Sequence, residues 1–205
     1  MKRTICMAVL LAVVAAVSMG TGAASGQAAS SGQQYSITDL GTLGRAFSQA
    51  FDINDRGQVV GESWTASGEF HAFLWEKGKM TDLGTLGGDF GIATGINNRG
   101  QIVGWRNLVL GPSRAFVWEK GKITDLGTLG GDRSLAFDIN DRGQVVGFIQ
   151  GDATHAFLWE RGKMTDLGTL SAGGSGIAFG INNRGQVVGI SSTASGEQHA
   201  VLWTK

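Results

Sequence analysis

"HAFLWEKGKMTDLGTLGG" (residues 71–88) returns as "HAFLWERGKMTDLGTL" (residues 155–170) with one residue changed in sixteen. The tetrapeptide Thr-Asp-Leu-Gly within it starts at Thr38, Thr81, Thr124 and Thr165, at spacings of 43, 43 and 41 residues. A second phrase follows each copy: "FDINDRGQVVG" at Phe51 and Phe137, "TGINNRGQIVG" at Thr94 and "FGINNRGQVVG" at Phe179. A third phrase ends in tryptophan, at Trp75, Trp118, Trp159 and Trp203. The apolar runs in these phrases span only four to seven residues, too short for helices of period 3.6, so the unit is a strand repeat.

Four strands are predicted per unit: a, ending in tryptophan; b, Thr-Asp-Leu; c, before Asn-[Asp/Asn]-Arg-Gly; and d, beginning Gln-[Val/Ile]-Val-Gly. The a–b and c–d connections are tight, and Gly57, Gly100, Gly143 and Gly185 are expected to take the positive φ of a bulged hairpin turn. The b–c and d–a connections are longer and differ between copies, which makes them the places where ligand contact can vary without disturbing the sheets. Four-stranded sheets repeated at this interval predict an all-β fold, a β-propeller with four blades of four antiparallel strands over residues 35–205. The sequence opens with a b strand and finishes with an a strand. Pairing of residues 36–40 with residues 200–203 is therefore expected to close the ring within one chain, as a monomer; an open solenoid, or half of an eight-bladed ring made by two chains, is the competing arrangement. Copies one and three share "AFDINDRGQVVG" and copies two and four share "GINNRGQ", which points to duplication of a pair.

Residues 1–30 read differently. Lys2 and Arg3 precede an apolar run from Ile5 to Met19 and a small-residue zone, the order of a cleaved secretory signal. Cleavage after Ala23, Ala24 or Gly26 fits equally. The apolar run is short for a membrane span, so a secreted, extracellular protein with no stable membrane anchor is expected. Cys6 is the sole cysteine and lies in that leader, so disulfides are not available to the mature protein. The chain has 34 glycines and one proline, a pairing that suits tight turns between hydrogen-bonded strands rather than disorder. It carries 17 basic and 17 acidic side chains, and loss of Lys2 and Arg3 leaves 15 basic, so a nucleic-acid partner is not expected.

The line "HAFLWEKGKMTDLGTLGG" followed by "GINNRGQIVGW" resembles the HAF-repeat family of extracellular bacterial proteins, named for the triplet seen at His71 and His155. Arg114 and Val201 depart from that triplet, and Ser171 breaks the Gly-Gly of the fourth copy. The resemblance implies export and a repeat fold, and it implies no reaction.

Asp39, Asp82, Asp125 and Asp166 occur once per repeat, as do the four tryptophans and the slot occupied by His71, Arg114, His155 and His199. His and Asp together suit zinc, but arginine in one slot argues against a shared metal site, so these residues are expected to form a structural network within each blade. "DINDRG" at Asp52 and Asp138 begins like a calcium loop, but arginine fills a ligand position and the other copies lack the opening aspartate. No cofactor or metal is expected. For catalysis the unique polar residues Glu62, Glu69, Asp89, Asp132, Arg133, Asp152 and Glu197 are the candidates, and none sits in a recognisable motif. Trp64, Trp105, Arg106, Leu108 and Phe148 are assigned to the d–a loops as candidate contacts for a protein or glycan partner. The predicted function is a binding or interaction module; the competing class is a secreted carbohydrate-active hydrolase or lyase with its site in the channel or loops.

Overall fold

The computed structural model describes residues 35–108 and 111–205. The expected secretory leader lies outside the described residues, as do Val109 and Leu110. Asp39–Lys205 forms one compact unit, and all the regular structure described is β-strand.

Each repeat folds as an antiparallel meander. The first sheet is β1 (Gly44–Ile53), β2 (Val59–Thr65), β3 (Phe70–Glu76) and β4 (Lys79–Gly84) in that order. The second is β5 (Phe90–Ile96), β6 (Ile102–Asn107), β7 (Ser113–Glu119) and β8 (Lys122–Asp125). The third is β9 (Arg133–Ile139), β10 (Val145–Gln150), β11 (Thr154–Glu160) and β12 (Lys163–Asp166). The fourth has three strands, β13 (Gly176–Ile181), β14 (Val187–Ser192) and β15 (Gln198–Trp203). From the centre outward the first three sheets therefore run c, d, a, b and the fourth c, d, a, because β1, β5, β9 and β13 are the strands that pack on their counterparts in neighbouring sheets around a common axis.

The turns follow from local chemistry. In the a–b hairpins Lys77 and Gly78 take φ of 51° and 80°, and Lys120–Gly121 and Arg161–Gly162 match them, the two positive values that a type I′ turn demands. The expected positive φ at Gly57, Gly100, Gly143 and Gly185 is present in all four c–d turns, at 72°, 78°, 77° and 83°. The last glycine of "QVVG" has another cause. A Cβ on Gly61, Gly104 or Gly147 would lie 1.9 Å from the carbonyl oxygen of Gln49, Ile92 or Leu135, so the close approach of strand c to strand d excludes every other residue.

Each c strand carries a bulge one residue after its conserved alanine, after Ala50, Ala93, Ala136 and Ala178. The bulge turns the extra residue toward the following sheet: the Thr94 hydroxyl donates 2.9 Å to the Ala136 carbonyl, and the Phe137 and Phe179 rings stand 5.9 Å apart. Three apolar junctions hold the sheets together. Val60, Ala72 and Leu74 of the first meet Ala93, Ile96 and Phe116 of the second. Val103, Ala115 and Val117 then meet Ala136, Ile139 and Phe157, and Val146, Ala156 and Leu158 meet Ala178, Ile181 and Val187. Trp118, Trp159 and Trp203 pack into these three junctions in turn. Burial of this apolar surface, without disulfides, is the main source of stability.

The fourth sheet is one strand short of the expected four. Residues 35–42 carry no strand, and β15 pairs with β14 alone among the described residues. Among the described residues no apolar junction of the kind seen between the other sheets joins the fourth sheet to the first.

Candidate functional site

The antiparallel meander gives every blade two ends. One holds the c–d and a–b hairpins, which repeat almost unchanged; the other holds the b–c and d–a loops, which vary.

At the hairpin end the asparagine of "IN[DN]RGQ" is a hub. The Asn97 side-chain oxygen accepts the backbone N–H groups of Arg99 and Gln101, each at 3.0 Å. Its amide donates to Gln101 Oε1 at 2.8 Å and, across the junction, to the Asn140 carbonyl at 3.0 Å. Asn54 reaches the Asn97 carbonyl and Asn140 the Asn182 carbonyl in the same way, at 3.0 and 2.9 Å. A second ladder runs beside it through Asp55, Asn98, Asp141 and Asn183. The Asn98 N–H donates to Asp141 Oδ1 at 2.8 Å, and the Asp141 N–H to Asn183 Oδ1 at 2.8 Å. Amide and carboxylate alternate, so each aspartate faces donors rather than another charge. The Asn98 backbone N–H, followed by the Asn183 amide, holds the Asp141 carboxyl below the usual carboxylate range.

The aspartates of "DINDRG" also bridge blades. Asp52 accepts the N–H of Ile53 and, from the second blade, that of Ile96, both at 2.8 Å; Asp138 does the same for Ile139 and Ile181, both at 2.7 Å. Burial raises the Asp138 pKa, partly offset by these two N–H groups. Among the described residues no group of three His, Cys, Asp or Glu side chains is arranged to hold a metal ion. The two ladders surround an open polar cavity of about 360 Å³ on the axis, lined by residues of all four repeats, Asp52, Asn98, Asp138 and Asn183 among them.

The repeated aspartates and histidines meet at the outer edge of the first and third blades. His71 Nδ1 lies 2.8 Å from Asp82 Oδ1 and His155 Nδ1 2.8 Å from Asp166 Oδ2. Asp39, Asp82, Asp125 and Asp166 each accept the N–H of the glycine two residues on, at 2.6–2.9 Å. Where Arg114 replaces histidine, it donates instead to the Asp132 carbonyl at 2.7 Å, and Arg106 takes over Asp125 at 3.3 Å. His199, on the three-stranded sheet, is exposed.

The loop end is unlike in each blade. Trp64, Trp105 and Phe148, assigned to d–a loops from the sequence, lie within strands β2, β6 and β10, because the alternation of strand d continues past its glycine. Phe148 is buried, 5.7 Å from Phe137. Trp64 stacks edge-on with Phe70 at 5.1 Å, beneath the guanidinium of Arg45 at 5.7 Å; Trp105 does the same with Phe90 at 5.3 Å. Both indoles are half-buried, and their Nε1–H groups have no hydrogen-bond partner among the described residues. Leu108, half-buried, follows directly after β6. The positions of Phe47 and Phe90 are held by Arg133 and Ser175 in the third and fourth blades, so the Trp–Phe pairs of this end are confined to the first two. The carboxylates considered for catalysis are dispersed: Glu62 and Glu69 on the first blade, Asp89 before the second, Asp132 and Asp152 on the third and Glu197 on the fourth. Burial raises the Glu62 pKa.

No family model and no curated protein matches this sequence. Among solved structures, 77% of the chain is similar to 49% of the β-propeller domain, of open velcro topology, of the Trilobed protease from Pyrococcus furiosus, with 14% identity and a TM-score of 0.55. The same share is similar to 26% of the acylaminoacyl peptidase of Pyrococcus horikoshii, with 16% identity and a TM-score of 0.51. The chain thus spans about half or less of these proteins' lengths, and the likeness is one of fold: four consecutive sheets arranged as blades of a β-propeller.

Proposed function

We propose that this chain is an exported HAF-repeat β-propeller acting as a binding module for a glycan or protein partner, engaged at the loop end of its first two blades. The supporting observation is the contrast between the ends. At the hairpin end the repeated polar groups are engaged in hydrogen bonds from blade to blade. At the loop end Trp64 and Trp105, each backed by a phenylalanine, present half-buried aromatic rings. Amphipathic aromatics of this kind stack on sugar rings and anchor protein partners. The loops differ between copies, so the reading is one composite site rather than one per blade. Residues 36–40 are part of the same proposal. Contributed by a neighbouring copy of the chain, they supply the missing outer strand to β15, which would give His199 in Asp39 the counterpart that His71 has in Asp82.

Screening against glycan and protein arrays identifies the ligand. Trp64→Leu and Trp105→Leu are then expected to weaken binding at least about tenfold, whereas the hairpin-end variant Arg99→Ala keeps it. Binding lost in Arg99→Ala and retained in both tryptophan variants refutes the placement. Export is tested by sequencing the N-terminus of protein from the culture medium, expected to begin at residue 24, 25 or 27.

A further inference from the structure

Three blade-to-blade junctions are built within this chain, and both halves of a fourth stand open. Val60, Val103 and Val146, on the forward faces of blades one to three, have 0% exposure, while their counterpart Val188 on blade four is 51% exposed and Leu202 beside it 58%. On the rear faces Ile96 and Ile139 are 5% exposed, while Ile53 of blade one is 63% exposed. Phe179 and Ala200 add to the open forward face and Ala50 to the open rear face.

The polar groups define which junction these faces would make. Between blades two and three, Gly95 faces forward where blades one and three carry Asp52 and Asp138; the Ile139 N–H is held by its own Asp138, and the Asn98 amide reaches Asp141. Blade four presents the same forward set in Gly180 and Asn183, and blade one the same rear set in Ile53 held by its own Asp52, with Asp55 beside it. Among the described residues the Asn182 amide donates to Gln186 alone, at 2.8 Å, whereas Asn54, Asn97 and Asn140 each also donate to the next blade. The open faces are thus the two halves of a junction the molecule already forms once.

We infer that the forward face of blade four receives the rear face of blade one from a second copy of this chain, so that two copies close one eight-bladed ring. A two-fold axis makes both new junctions identical. Two observations favour a second copy over closure on the same chain. Among the described residues blades four and one share no packed junction, and the four blades follow about half of the β-propeller domain of the Trilobed protease. Strict alternation of Asp55, Asn98, Asp141 and Asn183 continues unbroken from Asn183 into a second Asp55.

Light scattering on the full chain after size exclusion, at micromolar concentration, is expected to give twice the chain mass. A single-chain mass, or an open-ended series of larger species, overturns the inference. Leu202→Asp and Ile53→Asp place charge on exposed positions, so each is expected to keep the far-UV circular dichroism of the parent and to halve its mass. Mixed together, the two variants regain a two-chain mass, because one of the two junctions then contains both unsubstituted faces. Persistence of the dimer in either variant alone, or a mixture that stays monomeric, overturns the head-to-tail arrangement. Loss of ligand binding at Trp105 does not enter this result, so it stands or falls apart from the binding proposal.

Discussion

The two ends of the propeller are made from the same strands and solve opposite problems. At the hairpin end the turns of blades two to four are fixed twice, by their own asparagine and by the asparagine of the preceding blade, and the residues recur in every copy. At the loop end the chain is held mainly by local turns such as that of Asp82 onto Gly84, and side chains change from blade to blade. Rigidity at one end leaves the other free to vary, the usual division between scaffold and recognition surface.

The sharpest way to break this comparison is at the hairpin end. Asn97→Ala removes four hydrogen bonds and strands buried backbone groups, so unfolding in denaturant should show a loss of about 3 kcal/mol. In the Leu202→Asp background, where the forward face of blade four stays open, Asn182→Ala makes the same change in an exposed copy lacking the inter-blade bond and should cost about 1 kcal/mol. Equal losses would show that the ladder does not link the blades. At the loop end, Asp82→Ala gives up the N–H of Gly84 and the pairing with a His71 that is only partly enclosed, and should cost about 1 kcal/mol in the same measurement.

Smaller effects appear in the pH dependence. Burial raises the Glu62 pKa, so the folded protein holds that proton more tightly than the unfolded chain, and its contribution to stability falls as pH rises through the raised value. Glu62→Gln should flatten this decline in denaturation midpoints measured from pH 4 to pH 8. Asp141 behaves oppositely. Its lowered pKa favours the folded state above the ordinary carboxylate value and loses that contribution as pH falls, a slope that Asp141→Asn should remove.

Much of the fold was legible because the repeat displays its own punctuation. The glycines of the c–d turns were placed at positive φ from the "NDRG" and "NNRG" phrases, and they take it. The Asp and His slots were expected to form a network in every blade; His71 meets Asp82 and His155 meets Asp166, whereas Asp125 meets Arg106. Strand length was less legible: Trp64, Trp105 and Phe148 looked like loop residues because the signature stops at glycine, yet the alternation of strand d runs on through them. The asparagine ladder was missed altogether. Its partners are 42 or 43 residues apart, and nothing local distinguishes a turn asparagine from one that also donates to the next blade. The outer strand expected at residues 36–40 carries the right sequence, but a strand also needs an edge to pair with.

The amino-acid sequence alone determined the strand count of the repeat, its hairpins and the order of its copies, because positive φ, two-residue turns and alternating burial act over a few neighbouring residues. Only the tertiary structure decided that strand c lies innermost, how far one blade turns from the next, and which asparagines are buried. "GINNRGQIVG" (residues 95–104) and "GINNRGQVVG" (residues 180–189) differ at one position, yet Asn97 is buried and Asn182 exposed. The difference lies in whether another blade follows, a property of the assembled junction and not of the turn.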